Sequence, residues 1–149
     1  MRFITAIALL LVTSAAAAQQ NSEHPIPGPR DALFVDSSEF PRDTSPTAED
    51  VQTHVLWTDP TTGAYGAYRW RKSGTSIGLH GHSQDGRVII LKGTLLLSFP
   101  GKKSYELSAG DFTLIPANLP HTSGCKAGSD CFYYEEQAGP EDIIMVTEK

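Results

Sequence analysis

The sequence predicts an all-β domain, a sandwich or barrel of short strands, preceded by an N-terminal leader and an extended arm. Three observations carry that expectation. From Val51 onward, short β-type segments alternate with turn residues. No helical periodicity appears after the leader. The 149 residues suit one domain with a single core and are too few for two comfortable ones.

The leader is the stretch "MRFITAIALLLVTSAAAAQQ". Arg2 gives it a positive start and Phe3 to Val12 an apolar run. Ala16, Ala17 and Ala18 supply small residues for cleavage before Gln19. These are the three parts of a secretory signal peptide, so residues 1–18 are expected to be removed after Ala18 and the protein to be secreted or periplasmic. The apolar run is shorter than the ~20 residues that cross a bilayer, and an uncleaved anchor is the alternative. No stable membrane insertion is expected after cleavage.

Residues 19–50 contain Pro25, Pro27, Pro29, Pro41 and Pro46, half of the chain's ten prolines. Proline removes backbone donors and restricts its neighbours, which predicts an extended arm or linker. Within it Leu33, Phe34 and Val35 are suited to packing as a short strand on the body or on a second chain. His24 and His54 need no special role. The domain proper is expected over residues 51–149.

There, "VQTHVLWTD" reads as a strand, "DPTTG" as a turn and "AYGAYRWRK" as the next strand. In that strand Tyr65, Ala67, Arg69 and Arg71 oppose Ala64, Gly66, Tyr68 and Trp70. Ile77 and Leu79 are expected to face away from His80 and His82. "RVIILK" and "TLLLSF" flank Gly93, read as a turn or bulge between paired strands. Leu95, Leu97 and Phe99 share one face. "PGKKS" makes the following turn, "DFTLIP" another strand, and "CFYYEEQ" and "EDIIMVTEK" close the chain around Gly139 and Pro140.

The formal charge is −5. Loss of Arg2 with the leader makes the mature domain more acidic still. An acidic domain without a basic stripe argues against nucleic acid and anionic membrane surfaces, leaving a small molecule as the expected partner. Export also colours the two cysteines. Cys125 and Cys131 flank the turn-like "KAGSD" and are expected to form a disulfide at the neck of a hairpin, stabilising the fold by about 2–3 kcal/mol. A reactive or metal-bound thiol is the alternative.

The chemistry concentrates in the histidines. Residues i and i+2 of a strand project to one side, ~6.6 Å apart, so His80 and His82 can converge on one cation at ~2.0–2.1 Å from each. A pair of exposed edge histidines would also have this spacing. The stretch "GDFTLIPANLPH" delivers a third, His121, behind a turn, a strand and a proline-constrained loop.

At these residues the sequence resembles the cupins. Their first motif runs glycine, five residues, His-x-His, three or four residues, glutamate, six residues, glycine. Gly74, His80, His82 and Gly93 fit it, while Gly86 stands where the glutamate belongs. The second motif runs glycine, five residues, proline, one residue, glycine, two residues, histidine. Gly110, Pro116 and His121 fit it, with Asn118 in the second glycine's place. Asparagine tolerates the left-handed conformation better than most residues. The resemblance covers Val51 to Val146 and implies a double-stranded β-helix, or jelly-roll, barrel.

It also implies a metal site, which here has lost a ligand. Gly86 offers no side chain, and Asp85 reaches the site only if the segment bulges. The reading is a neutral three-histidine site, His80, His82 and His121, for one divalent transition metal (Fe, Zn, Ni, Cu or Mn), with Asp85 as candidate fourth ligand. Three neutral donors leave the ion's charge uncompensated and positions open for water or substrate. Some cupin dioxygenases use such a set, so the resemblance implies a small-molecule oxidoreductase. The alternatives are a metal- or ligand-binding module without catalysis, and a metal-independent isomerase.

Tyr65, Tyr68, Trp70, Phe99, Tyr105 and Phe112 are expected in the barrel core or rim, and one of Tyr133 and Tyr134 faces inward. Arg69, Arg71 and Arg87 are expected at the surface, with pairing to an anionic substrate as the alternative. No residue stands out as a general base. A homodimer is expected from the apolar runs Val88–Leu91 and Leu95–Leu97 and from the arm.

Overall fold

Alternating inward and outward side chains need two layers to close over them, and the computed structural model has two. It describes residues 49–147. The expected signal peptide and the expected arm with Leu33, Phe34 and Val35 lie outside the described residues. The strands are β1 (Val51–Thr58), β2 (Tyr65–Arg71), β3 (Ser76–Gly81), β4 (Gly86–Lys92), β5 (Thr94–Ser98), β6 (Tyr105–Ser108), β7 (Phe112–Ile115), β8 (His121–Cys125), β9 (Cys131–Gln137) and β10 (Ile144–Met145). No helix occurs among the described residues, and none is long and apolar enough to cross a membrane.

Two five-stranded antiparallel sheets result, ordered β1-β2-β9-β4-β7 and β10-β3-β8-β5-β6. Their inner faces make a jelly-roll barrel, as the resemblance implied. Val88 and Ile90 of β4, Leu95 and Leu97 of β5, Ile115, Tyr133 and the two cysteines form its core, with Phe99 and Leu107 packed against them. Each large apolar side chain buried this way stabilises the fold by roughly 1.5–3 kcal/mol.

Two pairings differ from those expected. The segments on either side of Gly93 do not pair with each other: β4 hydrogen-bonds to β7 and β9, β5 to β6 and β8. Gly93, at φ +78°, is the corner where the chain passes from one sheet to the other. Likewise β8 and β9 belong to opposite sheets. The Cys125–Cys131 disulfide, Cα atoms 5.7 Å apart, therefore staples sheet to sheet instead of closing a hairpin neck. A period of two tells which way a side chain points, but not which sheet its strand joins.

Both cysteines are buried in the core. With a sequence separation of 6, the bridge restricts only a short loop of the unfolded chain. Reduction is expected to cost about 2 kcal/mol on the chain-entropy account. Urea melts with and without reductant check this, and an unchanged midpoint would deny the bridge a stabilising role.

The aromatic expectations divide. Tyr65 points inward and Phe99 packs on the core. Tyr68 and Trp70 lie on the opposite face of β2 and stack on Phe132, with ring centroids 5.0 and 4.9 Å away. Tyr105 and Phe112 are exposed, because β6 and β7 are edge strands. Ile89, Leu91, Phe112 and Leu114 form apolar outer surface on β4 and β7.

Candidate metal centre

The three histidines meet because of how β3 and β8 pair. His80 and His121 are direct cross-strand partners, and His82 follows two residues later, just beyond the end of β3. Ring centroids are 4.4 Å apart for His80 and His121, 5.2 Å for His80 and His82, and 5.4 Å for His82 and His121. One nitrogen from each lies within 4.8 Å of the others. His80 and His121 are almost fully buried.

An irregularity in β3 prepares this arrangement. The register with β8 shifts between Ile77 and His80. Ile77 therefore joins His80 in lining the cavity, whereas strict alternation had placed it on the opposite face. Inside the shift, the Gly78 carbonyl accepts the Nδ1 hydrogen of His80 at 2.7 Å. The loop before β8 repeats the device, with the Leu119 carbonyl accepting the Nδ1 hydrogen of His121 at 3.0 Å. That loop turns through Asn118, the one non-glycine described residue with positive φ (59°), and Asn118 N donates to His82 O at 2.7 Å. His82 Nδ1 in turn bonds the Asp142 carbonyl at 2.5 Å, and the Asp142 carboxylate receives Ser83 N.

A carbonyl can only accept, so each imidazole carries a proton on Nδ1, the tautomer whose neutral ring has its lone pair on Nε2. This is the tautomer in which metal-ligating histidines are normally held by an outer partner. Burial, opposed by the carbonyl bonds, lowers the pKa of His80 and of His121 below the ordinary value. Neighbouring histidines push the same way. Both rings are thus neutral at pH 7, as ligation requires. The donor set fits a divalent transition metal.

Asp85 does not join the cluster. Its Oδ1 accepts the Ala117 amide at 2.8 Å, so it braces the loop that delivers His121. Gly86 pairs with Ile115 on one side and Gln137 on the other, and a Cβ built on it would meet nothing within 4 Å. The space that the missing glutamate leaves belongs to a cavity of about 260 Å³.

The wall of that cavity carries polar groups that sequence reading missed or misplaced. Arg69 and Arg71 are not at the surface; they are 7% and 3% exposed and line the cavity. Arg87 is at the surface, 3.8 Å from Glu136. From β9, Tyr133, Glu135 and Gln137 point inward. Glu135 Oε1 accepts from Tyr65 Oη at 2.9 Å, Arg69 Nη2 at 3.2 Å and Gln137 Nε2 at 3.0 Å. Arg69 also pairs with Glu141 at 2.6 Å and donates to Tyr65 Oη and Thr53 Oγ1. Burial first, and Glu135 second, raise the Tyr65 pKa far above the ordinary phenol value, so the phenol keeps its proton. No described residue donates to Glu135 Oε2. Gln137 Oε1 is buried without a partner.

One signal was available. A disulfide cysteine at 131 must face the core, and counting by twos from it turns 133, 135 and 137 inward.

Residues 70–134 match the family model described as Cupin domain, which places that stretch of the chain in the cupin superfamily. Among solved structures, a cupin-like protein from Thermotoga maritima is 19% identical over 64% of this chain and 75% of its own, with a TM-score of 0.58. KdgF from Halomonas sp. is 17% identical over 74% of this chain and 96% of its own, at 0.56. The DMSP lyase DddQ from Ruegeria pomeroyi is 15% identical over 64% of this chain and 51% of its own, also at 0.56. Likeness at these identities speaks for the fold. No curated protein matches the sequence.

Proposed function

We propose that this chain is an exported, metal-dependent cupin enzyme that moves a proton on a small polar molecule. The observation that carries the reading is the trio of Nδ1–H···O=C bonds, which leaves three Nε2 lone pairs beside a cavity. His80, His82 and His121 would hold the divalent metal. When bound, the metal supplies Lewis-acid polarisation of a substrate oxygen at a position the three neutral donors leave open.

The rest is the work of the wall. Glu135 has Oε1 saturated by three donors, so its orientation is set, while Oε2 is left to take a proton from a substrate carbon or hydroxyl. Arg69 balances the Glu135 charge and bridges it to Glu141. Tyr65, kept protonated, holds the base in place. A cavity of about 260 Å³ falls below the ~300–1,000 Å³ typical of drug-sized ligands, which limits the substrate to a small molecule. The disulfide supports export to an oxidising compartment, and the apolar outer face of β4 and β7 supports a homodimer.

Solvent-deuterium exchange into small carbonyl compounds, followed by proton NMR with zinc-, nickel- or iron-loaded protein, tests this function. Glu135→Gln is expected to slow exchange by about 10²–10⁴-fold with metal content unchanged. Exchange that survives the substitution would remove Glu135 from its role. Absence of exchange in every metal form would remove the proton-transfer function. The second reading, a dioxygenase-like oxidoreductase, is favoured by the neutral donor set itself, which suits Fe(II) with an anionic substrate. Oxygen consumption on thiols or diketones that persists in Glu135→Gln would select it.

A further inference from the structure

The cavity holds two buried guanidinium groups with opposite circumstances. Arg69 has Glu135 and Glu141. Arg71 is the more buried, at 3% exposure, yet no carboxylate of the described residues lies within 4.0 Å of it. Its contacts are the Tyr133 hydroxyl and, at 3.5 Å, Ser123 Oγ. Its Nε is buried without a partner, as is that of Arg69, but Arg71 has no carboxylate among the described residues to offset it. A guanidinium has five donors in a rigid fork that matches a carboxylate, and removing such a cation from water without a counter-charge is costly.

We propose that Arg71, with Ser123 and Tyr133 beside it, is a subsite for the carboxylate of the substrate. Its position sets the class of molecule. Ser123 and His121 lie on β8 two residues apart and both line the cavity, a spacing of about 6.6 Å along the strand. A ligand whose carboxylate occupies the Arg71 fork thus reaches the histidine cluster with a second oxygen about two or three carbons away. Short dicarboxylates and oxo- or hydroxy-carboxylates have that shape. The charges agree: Glu135 and Glu141 are engaged by Arg69, and an anion balances Arg71. The second anchor rests on the metal reading above; the Arg71 anchor does not.

Malonate is the probe, malonamide its uncharged counterpart, and the comparison uses the full mature chain, zinc-loaded and metal-free, by isothermal titration. Zinc-loaded protein is expected to bind malonate roughly 30-fold or more tightly than malonamide. Arg71→Met should abolish that preference while leaving zinc stoichiometry and the circular dichroism spectrum unchanged, because an apolar residue replaces a buried unpaired charge. Arg71→Lys, which keeps the charge and loses the fork, should fall between, and it carries the test if the methionine variant does not fold. Zinc binding with malonate affinity that ignores Arg71 would overturn the subsite and leave the metal site standing. Arg71-dependent malonate binding to a protein that takes up no zinc would do the reverse.

Discussion

Replacing His80 by alanine is expected to weaken binding of zinc by roughly 10²–10³-fold. Structural zinc sites are worth about 10–16 kcal/mol, and dividing that among four donors gives roughly 3 kcal/mol or slightly more for one imidazole. His80 is the donor to remove because it sits at the centre of the cluster, paired directly across the sheet with His121 and closest to it in ring separation. Elemental analysis after metal-replete expression should find one metal per wild-type chain and substoichiometric metal in His80→Ala. The fold should survive, since His80 is not one of the residues that make up the hydrophobic core cluster. A variant that retains one equivalent with unchanged affinity would disprove the site, whatever enzyme activity were observed.

Gly93→Ala is expected to destabilise the domain strongly. A Cβ there would lie 2.5 Å from the Asp130 carbonyl oxygen and 3.0 Å from the Cys131 Cα, both main-chain atoms that cannot rotate away. The position also has φ +78°. Left-handed strain costs about 1–3 kcal/mol and overpacking a similar amount, so a loss of about 2–4 kcal/mol is expected, lowering the melting temperature by roughly 10 °C or more. Gly74→Ala separates the two causes, because Gly74 has φ +76° with no atom within 4 Å of its Cβ position. It should show the conformational cost alone. Equal losses at the two sites would mean that the close approach at the sheet corner costs nothing.

Those two glycines also mark where the sequence could be read. Turn glycines, strand alternation and the two histidine motifs sufficed for an all-β barrel and for the trio His80, His82 and His121. They did not reveal that the chain changes sheets at Gly93 and again between Cys125 and Cys131, because alternation carries no information about partners. Ile77 was assigned to the wrong face because one register shift in β3 breaks the alternation on which parity rests. Arg69 and Arg71 were judged by residue type, which favours the surface for arginine. Their shared face with Tyr65 and Ala67 was nonetheless visible, and the bulky alternatives Tyr68 and Trp70 lie outside the barrel. Glu135 and Gln137 lie beyond both motifs, on a strand whose orientation only the disulfide could anchor. The empty place at Gly86 was legible; the groups around it were not.

The proton on each of the three imidazoles is held by a main-chain oxygen, from Gly78, Leu119 and Asp142. Carbonyls survive point mutation, so no exchange of one side chain for another deletes these supports directly. Genetic drift can rewrite the cavity lining around Arg71, Glu135 and Gln137 while the nitrogens keep presenting the same electron pairs. Selection for a new substrate, natural or in the laboratory, has a constant centre to work around and a freely editable perimeter.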